Sequence, residues 1–234
     1  MARRPADASL GRRLAGVVGY VALFAALLFV PAGTMDWPRG WILLAVLFAV
    51  RLWGTVVVHR AQPELLAERA RPVIQRGQPV ADRVLLIAVM ATYAALVVFA
   101  ALDARRLRLL AAPPAAISWS GLVLFSIGWI VVALALRENE FAIAVVRYQE
   151  ERGHAVVSSG PYRFVRHPLY SGLCAVMIGM GLWLGSLAAA AASAVPIGLL
   201  AARIVLEERL LKRSLPGYPE YAARVRSRLV PGIW

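Results

Sequence analysis

The hydrophobic positions of this chain are gathered into blocks, and charge is largely confined to the stretches between them. Each block is about 18–20 residues long, enough for a helix to cross a hydrocarbon core of roughly 30 Å. The blocks lie at about Leu14–Pro31, Trp41–Val58, Val84–Leu102, Ile117–Leu136, Leu169–Leu187 and Ala188–Leu206. The first follows arginines, as a signal peptide does, but it is too long for a signal core and reads as a membrane span. The last two are separated by an argument from length. From Pro168 to Ala202 there are 35 residues without Asp, Glu, Lys or Arg. As one helix they would extend about 52 Å, far beyond one bilayer core. A hairpin turning near Gly185 and Ser186 removes the conflict. Gly181 and Gly185 form a small-xxx-small pair, which is either a close approach of two backbones or a chance spacing in a glycine-rich chain. The pattern predicts an all-α, polytopic integral membrane protein of about six transmembrane helices, the last two forming a helical hairpin.

Three polar connections are long enough to act outside the hydrocarbon. Residues 59–83 read as an interfacial segment broken by Pro63, Pro72 and Pro79. Residues 137–168 form the longest connection, and 207–234 form a polar tail. With the N-terminus in the cytoplasm, 20 of the 26 Lys and Arg fall on the inner side, from Arg3 and Arg4 through Arg76 to Arg228. The positive-inside rule then places both termini and all three connections in the cytoplasm, with Arg105, Arg106 and Arg108 as the one dissenting cluster.

Composition agrees with a membrane chain and narrows its chemistry. Hydrophobic residues make up 60% of the sequence, against about 45–50% in soluble domains. The net charge of +13 would suggest nucleic acid in a soluble protein. Here the arginines flank apolar runs, so membrane lipids are the expected partner and nucleic acid is not. Cys174 stands alone inside an apolar run and reads as a small buried hydrophobe. No Cys/His/Asp cluster has metal spacing, so no metal is expected. No glycine-rich dinucleotide fingerprint or phosphate loop is present.

Two places carry candidate chemistry. Arg203 follows the long uncharged run and shares a helix face with Glu207 at i,i+4. An ionisable group at that depth is costly unless paired. It reads either as a functional site or as an interfacial arginine snorkelling to headgroups and held by Glu207. The second place is Gly160–Tyr170, GPYRFVRHPLY. Pro168 suits the first turn of a helix. Arg166 and His167 then lie just outside that helix, where its unpaired N–H groups favour an anion. The other reading is a basic-aromatic membrane belt. Arg51, inside the second span, reads as a packing or snorkelling arginine. Trp37, Trp41, Trp119 and Trp183 read as belt residues.

Taken together, His154-Ala-Val-Val157, Ser-Ser-Gly-Pro-Tyr162 and Arg166-His-Pro-Leu-Tyr170 resemble the signature of the isoprenylcysteine carboxyl methyltransferases. The related phospholipid N-methyltransferases share its general form. The tail agrees, with Arg203, Glu207-Glu208, Tyr218, Tyr221, Arg224-Val225 and Val230-Pro231. The resemblance covers about residues 137–234; the region 1–136 matches only as four hydrophobic spans with the segment 59–83. It implies a catalytic region at 137–234 that uses S-adenosylmethionine to methylate a lipophilic acceptor, a carboxylate in the namesake enzymes. By position, His154, Ala155, Val156, Val157, Tyr162, His167, Pro168, Leu169 and Tyr170 would contact the cofactor. Glu207 would take its ammonium group, and Arg203 would hold the acceptor. Where those enzymes carry a cofactor-binding glutamine, this chain has Arg147.

The resemblance leaves the acceptor open between a prenylated cysteine, an isoprenoid or lipid acid, and a phospholipid amine. A carboxylate needs no general base, whereas an amine does and would sit poorly beside Arg203; this favours an acid. Two other readings stand beside methyl transfer: a sterol-type membrane reductase using NADPH, and a membrane scaffold or small transporter without catalysis.

Overall fold

In the computed structural model the described residues are 5–72, 74–75 and 78–234; Arg3, Arg4 and Arg76 of the charge count lie outside them. The described chain is all-helical. Helices α1 (Pro5–Ala32), α2 (Pro38–Ala61), α4 (Val80–Leu102) and α5 (Ala115–Glu138) form the first four spans, with the short α3 (Pro63–Arg69) between α2 and α4. After the connection come α6 (Pro168–Leu184), α7 (Leu187–Ala192), α8 (Ala194–Ser214) and α9 (Tyr218–Arg224). Five stretches, the last of them Leu187–Ser214, are apolar and long enough to cross a membrane. The remaining expected span, α6, has 17 residues, a length of about 25 Å. The chain is an integral membrane protein.

The hairpin turns where its length requires. Gly185 ends α6 with φ +88, a left-handed conformation that favours glycine. Ser186 caps α7, its Oγ accepting from the Ala189 N–H at 2.8 Å. The Ser186 hydroxyl also donates to Asp103, which is 2% exposed. Of the glycine pair read from the sequence, Gly181 makes the close approach: a Cβ there would lie 2.5 Å from the Ala190 nitrogen. Gly185 serves the turn instead.

A second glycine seam fixes α6 against α5. A Cβ on Gly128 would lie 2.6 Å from the Gly172 carbonyl oxygen, and one on Gly179 would lie 2.5 Å from that of Gly121. Both helices thus present glycines seven residues apart to each other, and the backbones touch without intervening side chains. Across the bundle α2 packs on α5, and α4 packs on both α1 and α8. Leu28, Leu43, Leu47, Val97, Phe125, Val176 and Met180 form the buried core between them.

The three polar connections gather at one end. Arg13 donates to the Pro63 carbonyl at 2.8 Å, and Arg69 donates to that of Ala142 at 2.6 Å. Arg203 reaches both Asp82 and the Ala144 carbonyl. The described residues of segment 59–83, the 139–167 connection and the end of α8 therefore meet there. At the opposite end Arg39 donates to the Trp183 carbonyl and Arg106 to that of Ala32. Part of the dissenting arginine cluster is thus engaged in capping the bundle.

Candidate active site

Pro168 opens α6, as its fixed φ and missing N–H favour. The residues before it are held by the tail rather than left as a loose belt. The Arg166 and His167 N–H groups donate to the Ser227 and Arg228 carbonyls at 3.0 and 2.9 Å. Arg166 Nη1 donates to the Val225 and Arg226 carbonyls at 2.6 and 2.7 Å. Glu208 collects the side chains: Arg166 Nε at 2.6 Å, His167 Nε2 at 3.2 Å and Arg228 Nε at 3.1 Å. Glu208 and Arg166 are 3% and 7% exposed. Ion pairing of this completeness compensates the desolvation of both charges.

One residue earlier on α8, Glu207 faces the other way, into a cleft. The Tyr170 hydroxyl donates to Glu207 Oε2 at 2.9 Å and accepts from Arg203 Nη1 at 3.0 Å. Arg203 is not held by Glu207 directly. Its Nε donates to Asp82 Oδ1 at 2.8 Å, and Asp82 is fully buried. Asp82 Oδ2 accepts from Gln78 Nε2 at 2.7 Å and from the Val146 N–H at 2.9 Å. The order Asp82–Arg203–Tyr170–Glu207 is thus a continuous polar chain from α4 through α8 and α6.

The cleft is closed by the 139–157 strap, the Tyr162 turn and the tail. His154, Ala155, Val156, Val157 and Arg147 line it on one side; Tyr162, His167, Leu169, Tyr170, Arg203 and Glu207 line the other. Pro168 does not line it; its ring is buried in the first turn of α6. Tyr218 and Tyr221 complete the wall, and the Tyr221 hydroxyl donates to the Tyr162 carbonyl at 2.7 Å. Burial pushes the Tyr221 phenol up to about 12, against the opposing pull of Arg166.

His154 lies between rings, its centroid 4.6 Å from that of Phe141 and 5.8 Å from that of Tyr148. Burial first, and then the cations of Arg152 and Arg147, lower its pKa to about 4. The ring is neutral at physiological pH, and Nδ1 faces the Gln149 N–H at 3.5 Å. Arg147 pairs outward with Glu151 four residues on. Gln149, two residues after Arg147, is 1% exposed and lines the same cleft. Its Nε2 donates to the Phe141 carbonyl at 2.7 Å, and its Oε1 accepts from Arg152 at 2.6 Å. It braces the strap.

Asp82 and Gln149 are the site residues that spacing did not disclose. Asp82 is a carboxylate in the first turn of a highly apolar helix, a cost that demands a partner; that was its only local signal.

The arrangement joins a solvent-side cleft holding a carboxylate to an apolar helix bundle. In comparison with known proteins, residues 116–216 match the family model of the phospholipid methyltransferases. A probable protein-S-isoprenylcysteine O-methyltransferase of Oryza sativa is 33% identical over 116 residues, which is 48% of this chain and 61% of that protein. Protein-S-isoprenylcysteine O-methyltransferase B of Arabidopsis thaliana is 32% identical over 111 residues, 44% of this chain and 56% of the relative. The cobalt-zinc-cadmium resistance protein CzcN of Cupriavidus metallidurans is 30% identical over 108 residues, 46% of this chain and 49% of that protein. The chain spans about half to three-fifths of the length of these curated relatives. Its C-terminal half is thus similar to the phospholipid methyltransferase family model and to curated isoprenylcysteine O-methyltransferases.

Proposed function

We propose that the protein is a membrane-embedded methyltransferase that uses S-adenosylmethionine to methylate a lipophilic acceptor, a carboxylate, from the cytoplasmic side. The observation that carries this is the Tyr170 hydroxyl bridging Arg203 and Glu207 at the floor of the cleft. It sets a cation and an anion side by side where the apolar bundle meets the polar connections.

The residues suit the cofactor. Glu207 uses Oε2 for Tyr170, while its Oε1 takes no hydrogen bond from the described residues. A carboxylate so placed suits an ammonium group. The neutral His154, Val156, Leu169 and Tyr218 offer an aromatic and apolar lining suited to an adenosine ring. When bound, the sulfonium supplies an electrophilic methyl group.

The chain's own residues then align and desolvate. Arg203 has five N–H bonds; three go to Asp82, Tyr170 and Ala144. The others are available to an acceptor oxygen, for which a guanidinium is well shaped. A carboxylate acceptor attacks without losing a proton, so no general base is needed. Holding both partners in line and excluding water can contribute about 7–11 kcal/mol. Region 1–136 enters this reading through Asp82, and region 137–234 supplies the cleft.

Transfer of a radiolabelled methyl group from S-adenosylmethionine to a membrane lipid extract, with identification of the product, tests the proposal. A labelled lipid ester is expected. A labelled amine would reassign the acceptor, and absence of label with NADPH bound in the cleft would overturn methyl transfer.

A further inference from the structure

A second cavity of about 480 Å³ lies within the bundle, between α1, α2, α5 and α6, with α3 across one end. Its walls are largely apolar, including Val50, Trp129, Val132 and Leu173, yet Arg13, Arg51 and Arg69 also line it. Among the described residues, none of these arginines is within 4.0 Å of a carboxylate. The Arg51 guanidinium lies 4.9 Å from the Tyr20 ring centre and 4.8 Å from that of Trp129. Arg51 Nε and Arg13 Nη1 are buried with no hydrogen-bond partner among the described residues. Buried donors left unpaired are costly, and three cations around one apolar space repel one another. An anion would relieve both.

The cavity adjoins the cleft. Leu169 lines both spaces. Arg69 lines the second and donates to the carbonyl of Ala142, which lines the first. A ligand seated here would have its polar end toward α3 and the cleft, and its chain among the membrane helices.

We infer that this cavity binds a single-chain anionic lipid, its acid group held by Arg13, Arg51 and Arg69 and its chain packed along α1, α2, α5 and α6. This acid group lies apart from the acceptor position beside Arg203, which lines the cleft and not this cavity, so the lipid site does not rest on the methyl-transfer reading above. The cation set selects against a lipid whose head is an amine, since no carboxylate in the lining would receive it.

Equilibrium binding of radiolabelled palmitate to the full chain in neutral phosphatidylcholine nanodiscs tests the site. Hexadecyl phosphate and hexadecylamine serve as the other arms. Palmitate is expected to bind saturably, hexadecylamine is expected not to compete, and hexadecyl phosphate reports whether a phosphate shares the site. Replacing both arginines, Arg51→Gln with Arg69→Gln, is expected to weaken palmitate binding by about tenfold or more. Gly16→Leu provides an independent variant, because Gly16 lines the cavity and a Cβ there meets nothing within 4 Å. It is expected to fill the space and reduce palmitate binding while the protein stays folded. Equal binding of palmitate and hexadecylamine, or wild-type palmitate affinity in both the arginine pair and Gly16→Leu, would overturn the assignment. S-adenosylmethionine binding, measured on the same samples, separates the two claims. Palmitate binding with this specificity but no S-adenosylmethionine binding would support the lipid site and count only against the methyl-transfer reading.

Discussion

Asp82 on α4 and Arg203 on α8 meet at 2.8 Å across 121 residues of chain, both almost fully buried. The pair ties the four-span region to the cleft. Removing one member would leave the other charged and unpaired, which costs about 3–5 kcal/mol in buried pairs. Asp82→Ala is therefore expected to lower thermal stability in detergent substantially. Asp82→Asn keeps a hydrogen-bond acceptor and should be milder. Differential scanning fluorimetry of the two variants checks this; an unchanged melting temperature in Asp82→Ala would refute the pairing.

Arg203→Lys keeps the charge but loses the fork that reaches Asp82, Tyr170 and Ala144 together. Turnover is expected to fall by at least about tenfold, with cofactor affinity changed less. Single-turnover transfer and cofactor titration on one preparation separate these effects.

The glycine seam gives a test of packing. At Gly128 a Cβ would meet backbone at 2.6 Å, and backbone cannot swing aside. Gly128→Ala should destabilise by about 1–3 kcal/mol, the usual cost of overpacking. Gly16→Ala, with open space around it, should be neutral or slightly stabilising. Thermal denaturation of both in the same detergent makes the comparison.

His154 predicts a pH dependence. Its pKa is lowered from 6.5 to about 4 in the folded strap. Above pH 6.5 the ring is neutral whether the strap is folded or not, so nothing is lost. Between pH 6.5 and about 4 the unfolded strap binds a proton that the folded one refuses, and stability falls as pH falls. Cofactor affinity should weaken across that window, and His154→Phe should flatten the profile. Titration of binding against pH in both proteins measures this.

Much of this architecture can be read from hydropathy. Charge-free length demands the hairpin, and Gly185 and Ser186 supply its turn. The motif residues His154 to Val157, Tyr162, His167, Leu169 and Tyr170 line one cleft with Arg203 and Glu207, as the hairpin allows by returning the chain to the same end. Pro168 departs from this: it builds the helix start and does not face the cleft. Pairing across the chain is where sequence patterns fall short. The i,i+4 spacing suggests Glu207 as the partner of Arg203, yet Asp82 takes Nε and Tyr170 stands between Arg203 and Glu207. Arg51 reads as a packing residue, and its stacking on Tyr20 and Trp129 agrees; the cavity beside it is visible only in three dimensions. The seven-residue glycine spacing in α5 and α6 was legible in principle, since it recurs in both helices.

Calorimetric titration of S-adenosylmethionine into wild type and Glu207→Ala bears most directly on the central claim. Wild type is expected to bind, and Glu207→Ala to bind about 10–100-fold more weakly, the loss of one charge-assisted contact. Equal affinity in the two proteins, or binding of NADPH and not S-adenosylmethionine, would contradict the account.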